Sequence, residues 1–287
     1  MITSRQDTIA ILFDCDDTLA EDTTTLVVEE LGFHPKEFWR DISRMVSQGW
    51  DPPIAYMTKL LWLSRERGPA LTRGLLRSMG RKITFSPGIP GQLEALREFV
   101  TTHQLLDGQV KLKTYIISSG FEEVIRGSTL PKYVDDIFAG NFEYDKRGRA
   151  VSPKSTVTFT EKTKFVHAIS KGISGKMLRQ NPYKVNDVIE ESNRVIPWEN
   201  ILYVGDGPSD VPCLSMIKRL GGHTIGVFPP KGSELKAYQL AVQGRTNVGP
   251  YERDFRPRSQ LRRMMETIML QVGLKIVEAK KTSTITP

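Results

Sequence analysis

Apolar residues recur along the chain in two rhythms, and the switch between them lays out the elements. Five short runs are nearly continuous in β-branched and other apolar residues: 8–13, 111–117, 136–139, 201–204 and 224–228. Runs of this length and composition predict strands buried on both faces. The segments between them carry apolar residues at helical spacing. Leu93, Leu96, Phe99 and Val100 mark one such face, and Val211, Leu214 and Ile217 another. A helix containing Lys162, Lys164, Phe165 and Ile169 precedes the fourth strand, a helix over 233–242 follows the fifth, and an amphipathic one runs over 261–280. Strands alternating with helices predict an α/β fold, a Rossmann-like open parallel sheet with helices on both sides. A hairpin over 142–151, with its turn near Arg147-Gly148, departs from that rule. The stretch 172–197 is polar and weakly patterned, and predicts a long excursion with a short helix near Val188-Ile189.

Between the first and second strands the helical rhythm persists for some sixty residues. Pro35 and the pair Pro52-Pro53 open helices, and Gly32, Gly49 and Gly68 close them, the expected punctuation of helix ends. No strand signal interrupts this stretch, so a small helical bundle is expected over 23–85, inserted into a discontinuous core formed by 1–22 and 86–287. Trp39, Trp50 and Trp62 are expected to pack inside the bundle, with the alternative that one of them lines a pocket.

Composition changes this picture little. Hydrophobic residues make up 39% and charged residues 25%, which fits a globular chain. The net charge of +7 is compatible with an anionic ligand but identifies none. Cys15 and Cys213 are too few for a disulfide framework and lie in apolar surroundings, so buried thiols in a reducing compartment are expected. No apolar run reaches the length of a membrane span, and Met1 to Asp7 lack a signal-peptide layout, so the expected location is cytoplasmic.

The chemistry lies where the strands end. The first strand stops at Asp14-Cys15-Asp16-Asp17, three carboxylates in four positions. Like charges this close raise one another's pKa, and a fold tolerates them where a cation neutralises the charge or where they do chemistry. The second strand ends at Ser118-Ser119-Gly120, and the fourth at Gly205-Asp206-Gly207-Pro208-Ser209-Asp210. Open parallel sheets place their sites at these carboxyl ends. With Lys162 on a nearby helix, the set offers a nucleophile, an acid and base, metal ligands and phosphate-binding groups, the parts that phosphoryl transfer requires.

These four segments, in this order, resemble the motifs of the haloacid dehalogenase superfamily. Ile116 to Phe121, Ala139 to Phe142 and the hairpin resemble its phosphoserine phosphatase branch. The resemblance implies that 23–85 is a cap domain and that the chain is a phosphatase using Mg²⁺. It implies that Asp14 attacks phosphorus to form an aspartyl-phosphate and that Asp16 is the general acid and base. Ser118, Ser119, Gly120 and Lys162 would bind phosphate. Asp14, Asp16 (through its backbone carbonyl), Asp206 and Asp210 would form the metal site, Asp210 either as a ligand or by supporting one. The helix-start position of the family's lysine favours Lys162 over Lys164, and Asp17 falls at a variable position with no implied role. An acid at position 16 is kept by phosphatases and phosphomutases, whereas dehalogenases usually lack it.

The resemblance implies a small phosphorylated metabolite as substrate without fixing which one. The phosphoserine branch carries a glutamate nine residues after the nucleophile to hold the substrate amine; this chain has Thr23 there, preceded by Glu21 and Asp22. Phosphoserine, phosphocholine-like, sugar and cofactor phosphates all stay open. A phosphomutase or phosphotransferase would use the same residues. The basic stretch Arg253-Asp254-Phe255-Arg256-Pro257-Arg258 with Arg262 and Arg263 raises a nucleic-acid-binding module, but Glu252 and Asp254 dilute its charge and a solvated helix start is the preferred reading. No membrane partner is expected, and the sequence does not set the oligomeric state.

Overall fold

The computed structural model describes residues 6–230 and 234–285. The chain enters through β1 (Thr8–Phe13), leaves the sheet for α1 (Thr23–Glu30), α2 (Pro35–Ser47), α3 (Pro52–Glu66) and α4 (Arg73–Gly80), and returns through α5 (Gly91–Thr102) to β2 (Lys111–Phe121). There follow α6 (Glu122–Gly127), β3 (Asp136–Tyr144), β4 (Ala150–Ser155), α7 (Glu161–Ser170), α8 (Gly175–Gln180) and β5 (Ile201–Gly205). The last elements are α9 (Val211–Arg219), β6 (His223–Phe228), α10 (Glu234–Val242), β7 (Val248–Glu252) and α11 (Gln260–Ile285). The expected start of α10 at Ser233 lies outside the described residues, as do residues 1–5.

Seven strands form one sheet in the order β4-β3-β2-β1-β5-β6-β7. All neighbours are parallel except β4, which pairs antiparallel with β3 as the hairpin predicts. Alternation along β1 assigns the two faces. Ile9, Ile11 and Phe13 join Leu93, Leu96 and Val100 of α5 and Leu261, Met265 and Met269 of α11. Ala10 and Leu12 join Val166 and Ile169 of α7 and Leu214 and Ile217 of α9 on the other side. A strand covered on both faces cannot show a polar alternation, so β1 appears in the sequence as a continuous apolar run.

Helices α1 to α4 share a third cluster, with Val27, Phe38, Leu60 and Leu76 packed against Phe121 and Phe142 of the sheet. Helix α4 meets α6 where Gly80 and Gly127 leave no room for a Cβ against the opposing backbone. The insertion is thus seated on the carboxyl end of β2 and on β3. Of the three tryptophans expected inside it, Trp50 and Trp62 are instead 36% and 43% exposed and pack edge-to-face on each other, their centroids 6.0 Å apart. Helical spacing put Trp62 among apolar neighbours, but α3 is only 15 residues long and its buried stripe runs through Tyr56, Leu60 and Leu61.

Two further expectations are corrected. Val188 and Ile189 carry no helix, and Val188 is 99% exposed; the helix of this excursion is α8, capped by Ser174 Oγ accepting from the Met177 N–H at 3.3 Å. Strand β7 was not anticipated, because Val248-Gly249-Pro250-Tyr251-Glu252 lacks the apolar run of an interior strand; it is a sheet edge, where proline is tolerated. The arginine stretch is not solvated at its two ends. Arg253 is buried and donates to the Ala20 carbonyl at 2.6 Å, Phe255 is fully buried, and Arg262 bonds Gln92 and Glu266. Both cysteines are buried free thiols. Among the described residues no helix is long and apolar enough to cross a membrane.

Candidate active site

Strand register brings the acidic ends together. Phe13 sits beside Ile116 of β2 and Val204 of β5, and the Asp14 N–H still donates to the Val204 carbonyl at 3.0 Å. Asp14, Ser118 and Asp206 therefore leave the sheet at one edge. The turn after Asp14 is tight: the amides of Thr18, Leu19 and Ala20 all donate to the Cys15 carbonyl, at 3.2, 2.9 and 3.0 Å. Asp17 accommodates it with φ of 55°, a left-handed conformation that aspartate tolerates better than most residues. Its carboxylate meets Arg253 Nη1 at 3.5 Å.

Lys162 is the hub. Its fully buried ammonium lies 2.8 Å from Asp14 Oδ1 and 2.7 Å from Asp210 Oδ1. Asp210 Oδ1 also accepts from the Tyr203 hydroxyl at 2.7 Å, and its Oδ2 from the Gly207 N–H at 3.3 Å. A Cβ on Gly205 would collide with that carboxylate, so glycine is required there. Asp210 is thus occupied holding Lys162 and its own loop. Lys164 is not in the site: it pairs with Glu161 at 2.5 Å and lies over the Phe165 ring.

On the β2 side, Ser118 is fully buried and its Oγ accepts from the Gly120 N–H at 2.9 Å. A Cβ on Gly120 would come within 2.9 Å of both Asp16 Oδ2 and Thr23 Oγ1. Glycine therefore lets β2 approach the first loop. Asp16 Oδ1 accepts from the Thr23 N–H at 2.8 Å, which ties the first loop to the start of the helical insertion.

A cavity of about 210 Å³ opens above these groups. Asp14, Asp16, Asp206 and Ser209 line it from the strand ends, with Ser119 and Gly120 at its side. Trp39, Tyr56, Asp22 and Thr24 line it from the insertion. Ser118 and Lys162 lie behind this wall rather than on it. Thr23, at the position of the branch's glutamate, is buried, while its neighbour Asp22 reaches the cavity.

Burial and crowding of carboxylates dominate the electrostatics. Burial, reinforced by Asp210 and opposed by Lys162, pushes Asp14 up to about 7. Burial, with Asp22 and Asp14 nearby, pushes Asp16 up to about 8. Asp206 is raised by burial and by the Asp210 and Asp14 charges. Burial disfavours the Lys162 ammonium, but Asp14 and Asp210 outweigh it and keep the group charged. One ammonium does not neutralise this many acids.

The remaining charge fits a hard divalent cation. Asp14, Asp206 and Asp210 each place a carboxylate oxygen within 4.8 Å of the others, and oxygen donors of this kind suit Mg²⁺. Asp16 reaches the same space but is not part of that trio by its carboxylate. Tyr56 and Tyr203 were not singled out for the site from the sequence, Asp22 entered only as a neighbour of position 23, and Trp39 only as one of three tryptophans of which one could line a pocket. Tyr203 alone left a signal, since a tyrosine in an interior strand must find a partner for its hydroxyl.

No family model matches the chain. An uncharacterized protein of Borreliella burgdorferi is 27% identical over 267 residues, covering 84% of this chain and 90% of that one. Among solved structures, a phosphoserine phosphatase in apo form aligns over 87% of this chain and 96% of its own, with a TM-score of 0.56 and 15% identity. A substrate-bound phosphoserine phosphatase aligns over 91% and 98%, with a TM-score of 0.55 and 16% identity. A HAD family hydrolase of Salmonella enterica serovar Typhi aligns with a TM-score of 0.53 and 20% identity over 77% of this chain, which spans only 62% of that hydrolase. At these identities the likeness is one of fold, a fold shared with the HAD family hydrolase and the phosphoserine phosphatases just named.

Proposed function

We propose that the chain is a Mg²⁺-dependent phosphatase that hydrolyses a small phosphomonoester through an aspartyl-phosphate on Asp14. One observation carries this reading: Asp14, its Oδ1 held 2.8 Å from the buried Lys162 ammonium, lines a cavity that Asp16 and Asp206 also line. In the first step a carboxylate oxygen of Asp14 attacks phosphorus and the ester P–O bond breaks. Asp16, whose carboxyl is held up to about 8, gives its proton to the departing alkoxide. In the second step Asp16 takes a proton from water, the resulting hydroxide attacks phosphorus, and inorganic phosphate leaves Asp14 as a carboxylate. Lys162 favours the carboxylate form of Asp14 against burial and the Asp210 charge, and holds its Oδ1 in place. Ser119 and Gly120 flank the phosphoryl group, with Ser118 fixing the Gly120 amide from behind. Asp14 and Asp206, with the Asp16 carbonyl, would hold the cation, and Asp210 would support them through Lys162. A bound Mg²⁺ supplies neutralisation of the phosphate charge against these carboxylates.

The cap role falls to residues 23–85, whose helices wall the cavity opposite the strand ends and limit water's access to the intermediate. The test is release of inorganic phosphate from p-nitrophenyl phosphate with Mg²⁺, with Asp14→Asn as control. Turnover that Asp14→Asn abolishes is the expected result. No release over a broad phosphomonoester panel, or turnover undiminished in Asp14→Asn, rules the reading out. Transfer to a second hydroxyl without net phosphate release would reassign the same residues to a phosphotransferase.

A further inference from the structure

Trp39 and Tyr56 wall the cavity, and the donor group of each is already engaged elsewhere. The Trp39 indole N–H donates to Thr25 Oγ1 at 2.8 Å, and the Tyr56 hydroxyl donates to the Ser119 carbonyl. What these two side chains chiefly offer a ligand is ring carbon. The two rings stand edge-to-face, 6.2 Å between centroids and 71° between planes, and so form a corner. Asp22 stands beside it and is tied into the same set of contacts. Its Oδ2 accepts from the Thr25 hydroxyl at 2.6 Å, and its Oδ1 accepts from the Thr24 and Thr25 amides at 2.9 and 3.1 Å. Thr25 thus bonds both the carboxylate and the indole, and locks one against the other.

Asp22 is the carboxylate tied to this corner, the other four lining aspartates lie at the strand ends, and among the described residues no lysine, arginine or histidine lines the cavity. A leaving group carrying a carboxylate or a second phosphate would meet only like charge there. In the corner itself a polyol would meet ring carbon, since the indole N–H and the phenol O–H already donate elsewhere, and its hydroxyls would have to bond Asp22, Thr24 or Ser119 around it. An organic cation with a carbon shell suits both features: aromatic faces attract it through their quadrupole, and the attraction grows when water is excluded.

We infer that the leaving group of the substrate is a small alkylammonium alcohol, its positive end packed in the Trp39–Tyr56 corner beside Asp22. The inference rests on the phosphatase reading above and names its substrate class. The cation is held by rings and by a carboxylate, and nothing in the wall is built to hold a carboxylate on the same leaving group.

The experiment compares shape-matched esters that differ in charge. Choline phosphate is set against 3,3-dimethylbutyl phosphate, and ethanolamine phosphate against propyl phosphate, with p-nitrophenyl phosphate as reference. The expected result is a kcat/KM at least about tenfold higher for a cationic ester than for its neutral partner, the scale of a desolvated cation–π contact; which cationic ester gains more reports how heavily the nitrogen is alkylated. Trp39→Leu and Asp22→Asn should each compress that ratio toward one, and Trp39→Phe, which keeps a ring, should retain most of it. Asparagine caps a helix as well as aspartate does, so Asp22→Asn keeps α1 intact. Equal efficiency on charged and neutral partners, with p-nitrophenyl phosphate turned over, overturns the inference and leaves the phosphatase reading standing. A ratio unmoved by both Trp39→Leu and Asp22→Asn overturns it as well. Turnover of none of the five esters overturns both.

Discussion

On one side of the cavity, charge is packed against charge: Lys162 lies between Asp14 and Asp210, and Tyr203 and Gly207 occupy the rest of the Asp210 carboxylate. On the other side, ring is packed against ring: Trp39 contacts Phe38 and Tyr56, and Tyr56 contacts Phe121, all edge-to-face. The strand-end wall comes from four separated segments fixed by one parallel sheet. The opposite wall comes from three helices and a cap residue, joined to the sheet by contacts such as Tyr56 on Ser119 and Thr23 on Asp16. On the proposed function, the chemistry, which tolerates little displacement, lies on the wall built by the sheet, and recognition lies on the wall that the sheet does not dictate.

Substitutions that separate the two walls should differ in kind. Asp14→Asn should lower turnover by about 10⁴-fold or more, the scale of losing a nucleophile, with no loss of thermal stability because a crowded carboxylate is removed; phosphate release and a melting curve on the same sample check both. Lys162→Met should instead strike stability, since Asp14 and Asp210 would be buried without their cation. A cost of about 3–5 kcal/mol is expected from urea titration, and an unchanged midpoint would contradict the hub role.

Asp16→Asn should lower kcat by about 10²- to 10³-fold on alkyl esters, and much less on p-nitrophenyl phosphate, whose leaving group needs little protonation. Because Asp16 is held up to about 8 and acts first as an acid, kcat/KM on alkyl esters should fall as pH rises through about 8. The corresponding stability has the same sign. A carboxyl raised on folding stabilises most below its unfolded value and loses that contribution as pH rises through its folded one. The metal-free protein should therefore melt lower at pH 8 than at pH 5.

Tyr56→Phe should cost about 1 kcal/mol, the worth of one hydrogen bond, and raise KM more than it lowers kcat. The smallest effect belongs to the exposed Trp50–Trp62 pair, far from either wall in consequence: Trp62→Ser should change stability by about 0.5–1 kcal/mol and leave kcat/KM unaltered. A large kinetic effect there would mean that the insertion moves as the site closes.

Which parts were legible in advance follows from how each is encoded. Asp14, Asp16, Ser118 and Asp206 could be placed at strand ends because each follows a recognisable apolar run, whereas Lys162 was preferred to Lys164 only through the family resemblance. Trp39 could not be separated from Trp50 and Trp62, since all three share a helical context and differ only in what the bundle packs against. Asp22 stood with Glu21 beside position 23 with nothing local to choose between them, and the edge strand β7, carrying Gly249 and Pro250, looked like a loop.

By itself the sequence determined the strand order's raw material, the helical insertion between β1 and β2, and the acidic strand ends, because periodicity and turn residues act locally. Only the tertiary structure decided that Asp210 would be consumed by Lys162 and Tyr203, that Thr23 would turn inward while Asp22 reached the cavity, and that Trp39 and Tyr56 would meet at an angle across from Asp14. Those outcomes depend on distances between segments far apart in the chain. Such distances are set by sheet register and by how the helices seat on it, which no local pattern of residues specifies.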